Sequence, residues 1–383
     1  MKNLLFCLMG MLALGCRERY DLPLNVPVTG YLVVEGVINS GQGGTTITLT
    51  RTTKLVDSFS IKEERKAIVR IEGKNSASFG LTENSAGQYV SGPLNLVNMQ
   101  EYRLYIRTSD GKEYSSDYRP VIASAARTNV SWERNSNGVQ IFGDNRDPQN
   151  SSRYYHFDFE ETWEFHSAYL PYLKYVTNPI TNTPRVVFLD TVNFRPDTTK
   201  YTCWRTENSN RIEIASTIRL SQDTTHYLLV SIPPASWKLG VLYSINVKQY
   251  VLSQQGYEYL SKMKKNTEQR GSIFDAQPSE LEGNIHNVND LQEPVIGFID
   301  ISNVHTQRIF ISSSDVPGWG YNSGCREKEI PNSPRSIQEE GYPPPTSFVE
   351  VVRGRVVTFN GASDPNCVDC TLRGVTNKPS FWP

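Results

Sequence analysis

The chain has 383 residues, 21% of them charged and 11% aromatic, with 20 Tyr against 5 Met and a formal net charge of −1. That length holds two or more domains with sizeable cores, and the near-neutral balance excludes the basic excess of a nucleic-acid binder. Aromatic content and short Thr-rich alternating segments, bounded by Gly, Asn, Asp and Pro, point to a mainly β globular protein.

In chain order, Met1-Lys2-Asn3 is a weakly positive start, and Leu4 to Leu14 is an apolar run of about eleven residues in the signal-peptide range. It is shorter than the roughly 20 residues a membrane span needs. Gly15 and Cys16 follow. A small residue before a cysteine is what lipoprotein signal peptidase cuts, leaving the cysteine acylated at the mature amino end. Residues 1–15 therefore read as a lipoprotein signal, Cys16 as the lipidation site and 16–28 as a tether, with Ala13 standing where such signals usually carry Leu. Acyl chains at about 0.8 kcal/mol per buried CH₂ hold such a protein to a membrane.

Strands begin at Tyr31. Thr46-Ile47-Thr48-Leu49-Thr50 alternates, as do Val69 and Ile71 against Arg70 and Glu72, and Tyr102, Leu104 and Ile106 against Arg103 and Tyr105. Asp110-Gly111 then marks a hairpin turn. Residues 29–120 read as an immunoglobulin-like β-sandwich, and 121–383 as a larger β-sandwich domain with a helix and loop insertion at about 251–294. The helix spans Gln255 to Asn266 and puts Tyr257, Leu260 and Met263 or Lys264 on one face.

The strand Tyr154 to His166 is the most informative. Its odd positions are Tyr155, Phe157, Phe159, Glu161, Trp163 and Phe165, so strict alternation buries Glu161 among aromatics. A carboxylate there needs an Arg, a hydroxyl or a raised pKa, unless a bulge turns it outward.

After the signal and Cys16, four cysteines remain: Cys203, Cys325, Cys367 and Cys370. In an exported protein they read as two disulfides, for which three connectivities are open. A zinc or redox role for Cys367-x-x-Cys370 lacks both a second such pair and a βαβ context.

Chemistry-bearing motifs are few. No G-x-S-x-G, H-E-x-x-H, Walker or G-x-G-x-x-G pattern occurs, and no cofactor is expected. Asp158, Glu160 and Glu164 share one strand face, which suits a solvated acidic surface or a calcium site better than paired glycosidase carboxylates. The turn residues Asp144 and Asp147 are oxygen donors for Ca²⁺, or simply turn formers. Tyr169, Tyr172 and Tyr175 supply flat amphipathic area, for a ligand or partner or for capping a core.

The blocks "YLVVEG", "RYYHFDFEETWEF", "YEYLSKMKKNTEQRGSIFDAQPSELEGNIHNVND" and the terminal "NCVDCTLRGVTNKPSFWP" resemble a Bacteroidota lipoprotein family catalogued as domain of unknown function 4249. The resemblance implies an outer-membrane lipoprotein partnered with a TonB-dependent receptor, and no catalytic residues. The mixed charge of "RERYD" after Cys16 differs from the acidic surface-export signals of that phylum, which leaves the periplasmic face open beside the cell surface. The expected function is a non-enzymatic, lipid-anchored accessory protein that captures a ligand or docks on such a transporter, with no nucleic-acid partner. A glycan or peptide hydrolase using Glu161 or its neighbours, and an envelope assembly factor, are the alternatives.

Overall fold

The computed structural model describes residues 30–53, 62–85, 87–122, 127–268 and 281–383. The signal, Cys16 and the tether lie outside the described residues. The protein is mainly β, and its strands follow the alternation. In Gly44–Arg51, Thr45, Ile47 and Leu49 are buried while Thr46 faces out. In Glu101–Arg107, Tyr102, Leu104 and Ile106 are buried.

The first body is a 12-stranded sheet coiled around one core. Its main path runs Ile285–Asn287, Glu113–Ser116, Glu101–Arg107, Ile68–Gly73, Ser78–Ser85, Gln88–Pro93, Gly44–Arg51, Leu32–Asn39 and Ile296–Gly297. The two ends of that path are neighbours in sequence, and a Cβ on Gly283 would lie 1.9 Å from the Gly297 carbonyl oxygen. The backbones meet there, and the sheet is nearly closed.

The insertion read at about 251–294 and the strands just after it contribute to this first sheet. Ile285–Asn287 pairs antiparallel with Glu113–Ser116, and Ile296–Gly297 and Ile301–Ser302 pair parallel with Leu32–Asn39. Open strand edges at 113–116 and 32–39 leave backbone groups unpaired, and the later segment satisfies them.

The second body packs two sheets face to face. One holds Arg127–Asn135, Gly138–Asp147 and Asp223–Ile232. The other runs Thr202–Asn208, Tyr154–His166, Leu242–Val251 and Val304–Ser312, with Glu213–Ser216 also pairing to Tyr154–His166. Between them lie Val139, Ile141, Phe157, Trp163, Tyr243 and Ile245. Cys203 and Cys370 are bonded within this layer, with Cα atoms 5.7 Å apart.

A third, smaller core sits inside the region read as one domain. The hairpin Leu173–Thr177/Pro184–Phe188 packs on a sheet of Glu327–Pro331, Pro345–Val352 and Arg355–Ala362. The second disulfide, Cys325–Cys367, joins the chain just before the three-stranded sheet to the chain just after it.

Candidate functional site

The helix, Gln254–Glu268, bridges the first and second bodies. The Ser253 hydroxyl accepts from Gly256 N–H at 3.0 Å and caps it. Ser253 N–H and Oγ–H in turn donate to Asp300 Oδ2, each at 2.9 Å. Arg119, in the short strand Arg119–Pro120 that pairs with Glu101–Arg107 of the first body, reaches Asp300 at 3.5 Å. Gly256 makes this seating feasible, since a Cβ there would stand 2.3 Å from Asp300 Oδ2. Towards the other end, Lys264 Nζ donates to the Ile212 carbonyl and Ile212 N–H donates to Glu268, both at 2.6 Å. Anchored on Asp300 at one end and on Ile212 at the other, the helix roofs a cavity of about 450 Å³, within the usual range for a small-molecule site.

The buried residues of the helix are Gly256 and Tyr259, and Leu260 and Met263 line the cavity. Leu260 and Met263 belong to the face that the sequence suggested, joined by Gly256 and Tyr259 in place of Tyr257. Tyr257 instead packs its ring 4.9 Å from that of Tyr154.

The second body supplies a preorganised polar wall. His156 Nδ1–H donates to the Glu213 carbonyl at 3.0 Å, while Nε2 lies 3.0 Å from Asp158 Oδ1. Both ring nitrogens therefore face acceptors, an arrangement that favours the imidazolium form. Burial opposes that charge, but the Asp158 hydrogen bond and charge, helped by the Glu213 carbonyl, outweigh it and raise the His156 pKa. Asp158 shifts the other way: burial pushes it up, and His156, the Tyr250 hydroxyl and Lys248 bring it below the ordinary carboxylate range. Tyr250 stacks on His156 with ring centroids 5.4 Å apart, and burial and Asp158 raise its own pKa.

Opposite stands Glu35, on the first strand of the first body. Glu35 is solvent-exposed at the open side of the cavity. Burial first, and the like charge of Asp158 second, raise its pKa. Tyr259, 5% exposed, feels the Glu35 charge and the Gly297 backbone N–H, and its hydroxyl proton finds no acceptor among the described residues. Sequence reasoning missed Glu35 and Tyr259. A carboxylate inside the apolar run "YLVVEGVI" was the available signal for Glu35.

The residues singled out in the sequence are placed elsewhere. Glu161 is 8% exposed, without a bulge, and meets the predicted need through a lysine and a hydroxyl. Lys238 Nζ donates to both of its oxygens at 2.9 Å, and Tyr243 O–H at 2.8 Å. Tyr169 O–H donates to the Cys325 carbonyl and Tyr175 O–H to that of Pro343, and Tyr172 and Tyr175 pack on the third core. None of the three lines the cavity.

The two calcium candidates are occupied by protein donors. Asp147 accepts from Gln149, Ser151 and Ser152 N–H and from the Ser151 hydroxyl, building the turn. Burial pushes its pKa up, and these donors more than reverse that. Asp144 faces His226 Nδ1 at 2.6 Å and accepts from the Ser131 hydroxyl. Among the described residues no group of three or more His, Cys, Asp or Glu is placed to hold a metal. On the acidic face, Glu160 pairs with Arg308 and Glu164 accepts from Trp382 Nε1, both at 2.9 Å.

A family model described as "Domain of unknown function (DUF4249)" matches residues 17–308. The terminal "NCVDCTLRGVTNKPSFWP" thus lies beyond the matched stretch. No curated protein matches the chain. Among solved structures, the chain is similar to trypsin activated alpha-2-macroglobulin from Escherichia coli at 9% identity and a TM-score of 0.19, over 86% of this chain and 17% of that one. So loose a superposition carries no argument about fold or function.

Proposed function

We propose, from the premise that the chain belongs to the DUF4249 family, that it is a lipid-anchored, non-enzymatic capture protein of the outer membrane that holds a small ligand in the cleft beneath its bridging helix. The observation that carries this reading is the cavity itself, roofed by a helix clamped at both ends and walled by polar groups already fixed in place. Such preorganisation lowers the cost of ordering a site when a ligand arrives. The apolar run ending in Gly15-Cys16 supports the anchor, and two disulfides suit an oxidising compartment. The family resemblance supports a TonB-dependent transporter as partner. Tethering keeps the capture module at high local concentration beside that partner, so modest contacts suffice.

The test is thermal stabilisation of the mature protein by sugars, amino acids, peptides and nucleosides, run beside Leu260→Trp, which fills the cavity from the helix. Capture predicts at least one class that stabilises the natural protein and not the variant, and a large β-barrel receptor that co-purifies from detergent extracts only when Cys16 is present. Silence of every class removes the reading.

One observation favours a hydrolase as a second reading: Glu35 is shifted up and Asp158 down, the divergence expected of an acid and base pair. Turnover of a peptide or glycan that disappears in Glu35→Gln supports it. Glu161 does not serve that role, being tied to Lys238 and Tyr243.

A further inference from the structure

The charges lining the cleft are paired, with one exception. Asp158 has His156, Asp300 has Arg119, and Arg211 has Glu213 at 3.0 Å. The Glu35 side chain makes no hydrogen bond or ion pair with the described residues; it is solvent-exposed and lines the open side of the cleft that Asp158 also lines. A carboxylate so placed, hydrated and without a protein partner, is free to take a cationic ligand that enters the cleft. A metal ion is a poor match, because three or more ligating groups do not converge there. An ammonium needs only hydrogen-bond acceptors and charge, which Glu35 and Asp158 supply.

Two further features shape the rest of the ligand. Tyr259, which lines the same cavity as Glu35, is buried and its hydroxyl proton has no acceptor among the described residues, so an acceptor on a ligand held by Glu35 completes that hydrogen bond. Leu260, Met263 and Ile212 give an apolar wall for a hydrocarbon body. We propose that the cleft binds a primary ammonium joined to a neutral carbonyl and an apolar side chain, the chemistry of a peptide's amino-terminal residue, with Glu35 holding the ammonium and Tyr259 the carbonyl. A free amino acid brings a carboxylate towards Glu35 and Asp158 and is disfavoured. This inference rests on the capture reading and narrows it.

The experiment is isothermal titration of the mature protein at pH 7.5 with four probes: L-leucinamide, N-acetyl-L-leucinamide, L-leucine and isopentylamine. Leucinamide should bind at least tenfold more tightly than its acetylated form, and several-fold more tightly than leucine or isopentylamine. Glu35→Gln should lose about tenfold for leucinamide. Tyr259→Phe should lose the preference for leucinamide over isopentylamine while leaving isopentylamine unchanged, a pattern that general unfolding does not produce. Equal binding of the acetylated probe, undiminished binding by Glu35→Gln, or no leucinamide binding overturns the proposal. If leucinamide is silent while a neutral ligand stabilises the natural protein and not Leu260→Trp, the ammonium inference alone fails; silence of every class fails the capture reading as well.

Discussion

Replacing Lys238 with Met tests how Glu161 is kept buried. Its carboxylate has two hydrogen bonds from Lys238 and one from Tyr243, and the Lys238 ammonium also lies 4.7 Å from the Trp163 ring centroid. Removing one partner of a fully buried pair costs about 3–5 kcal/mol, because the other charge is stranded. Here the Lys238 and Glu161 side chains keep 20% and 10% exposure, so water relieves part of that cost and about 2–3 kcal/mol is expected. Glu161→Gln should cost less, about 1 kcal/mol, since a polar acceptor remains and Lys238 has Glu207 at 3.7 Å to turn towards. The double variant leaves no stranded charge, so the two losses should couple by about 2 kcal/mol and not add. The assay is equilibrium denaturation under non-reducing conditions, followed by tryptophan fluorescence. Trp163 is fully buried, with its ring centroid 5.1 Å from that of Trp237, and these rings report on the site. A Lys238→Met loss under about 1 kcal/mol, or simple additivity, refutes this account of the buried carboxylate.

Three other outcomes follow from the same structure. The disulfides join residues 167 and 42 apart in sequence, so on the chain-entropy account removing Cys203–Cys370 costs about 5 kcal/mol and Cys325–Cys367 about 4; denaturation of the paired Cys→Ser variants measures both, and a reversed order contradicts the account. Glu35 has a raised pKa in the folded protein, so its contribution is favourable below its unfolded value and is lost as pH rises through the folded one. Glu35→Gln should therefore raise the melting temperature at pH 7.5 with no gain near pH 4, and an equal effect at both pH values refutes this. The His156–Asp158 pair has a raised imidazole and a lowered carboxyl pKa, from model values of 6.5 and 3.8. Its stabilisation is lost above the folded His156 value and below the folded Asp158 value, and is fullest from about pH 4 to 6.5. In Asp158→Asn, burial is left to dominate and the His156 pKa should fall, as read by imidazole NMR; an unmoved titration rules out the pairing.

What was legible in the sequence was local. Period-two alternation marked the strands and also the demand at Glu161, because a strand without a bulge must bury its odd positions together. The partners that met the demand, Lys238 and Tyr243, are 77 and 82 residues away, and no local pattern points to them. The four cysteines were legible as a set, while their pairing depended on which sheets come together. The helix face was legible at Leu260 and Met263 but not at its start, since Gly256 gives no hydrophobic signal and is inside for its lack of a Cβ beside Asp300. The cleft was least legible. Glu35, Asp158 and Tyr259 come from three distant segments, and they converge because residues 285–302 return to close the first sheet and bring the helix across.

The claim at the centre of this account is that an anchored chain carries its ligand in this cleft. Native mass spectrometry of the protein released gently from its own membranes tests that directly, with Leu260→Trp alongside. The account predicts a polypeptide beginning at Cys16 with glycerolipid added and a small molecule bound, the bound mass missing from the variant. A polypeptide without added lipid, or a bound mass equally present in Leu260→Trp, contradicts it.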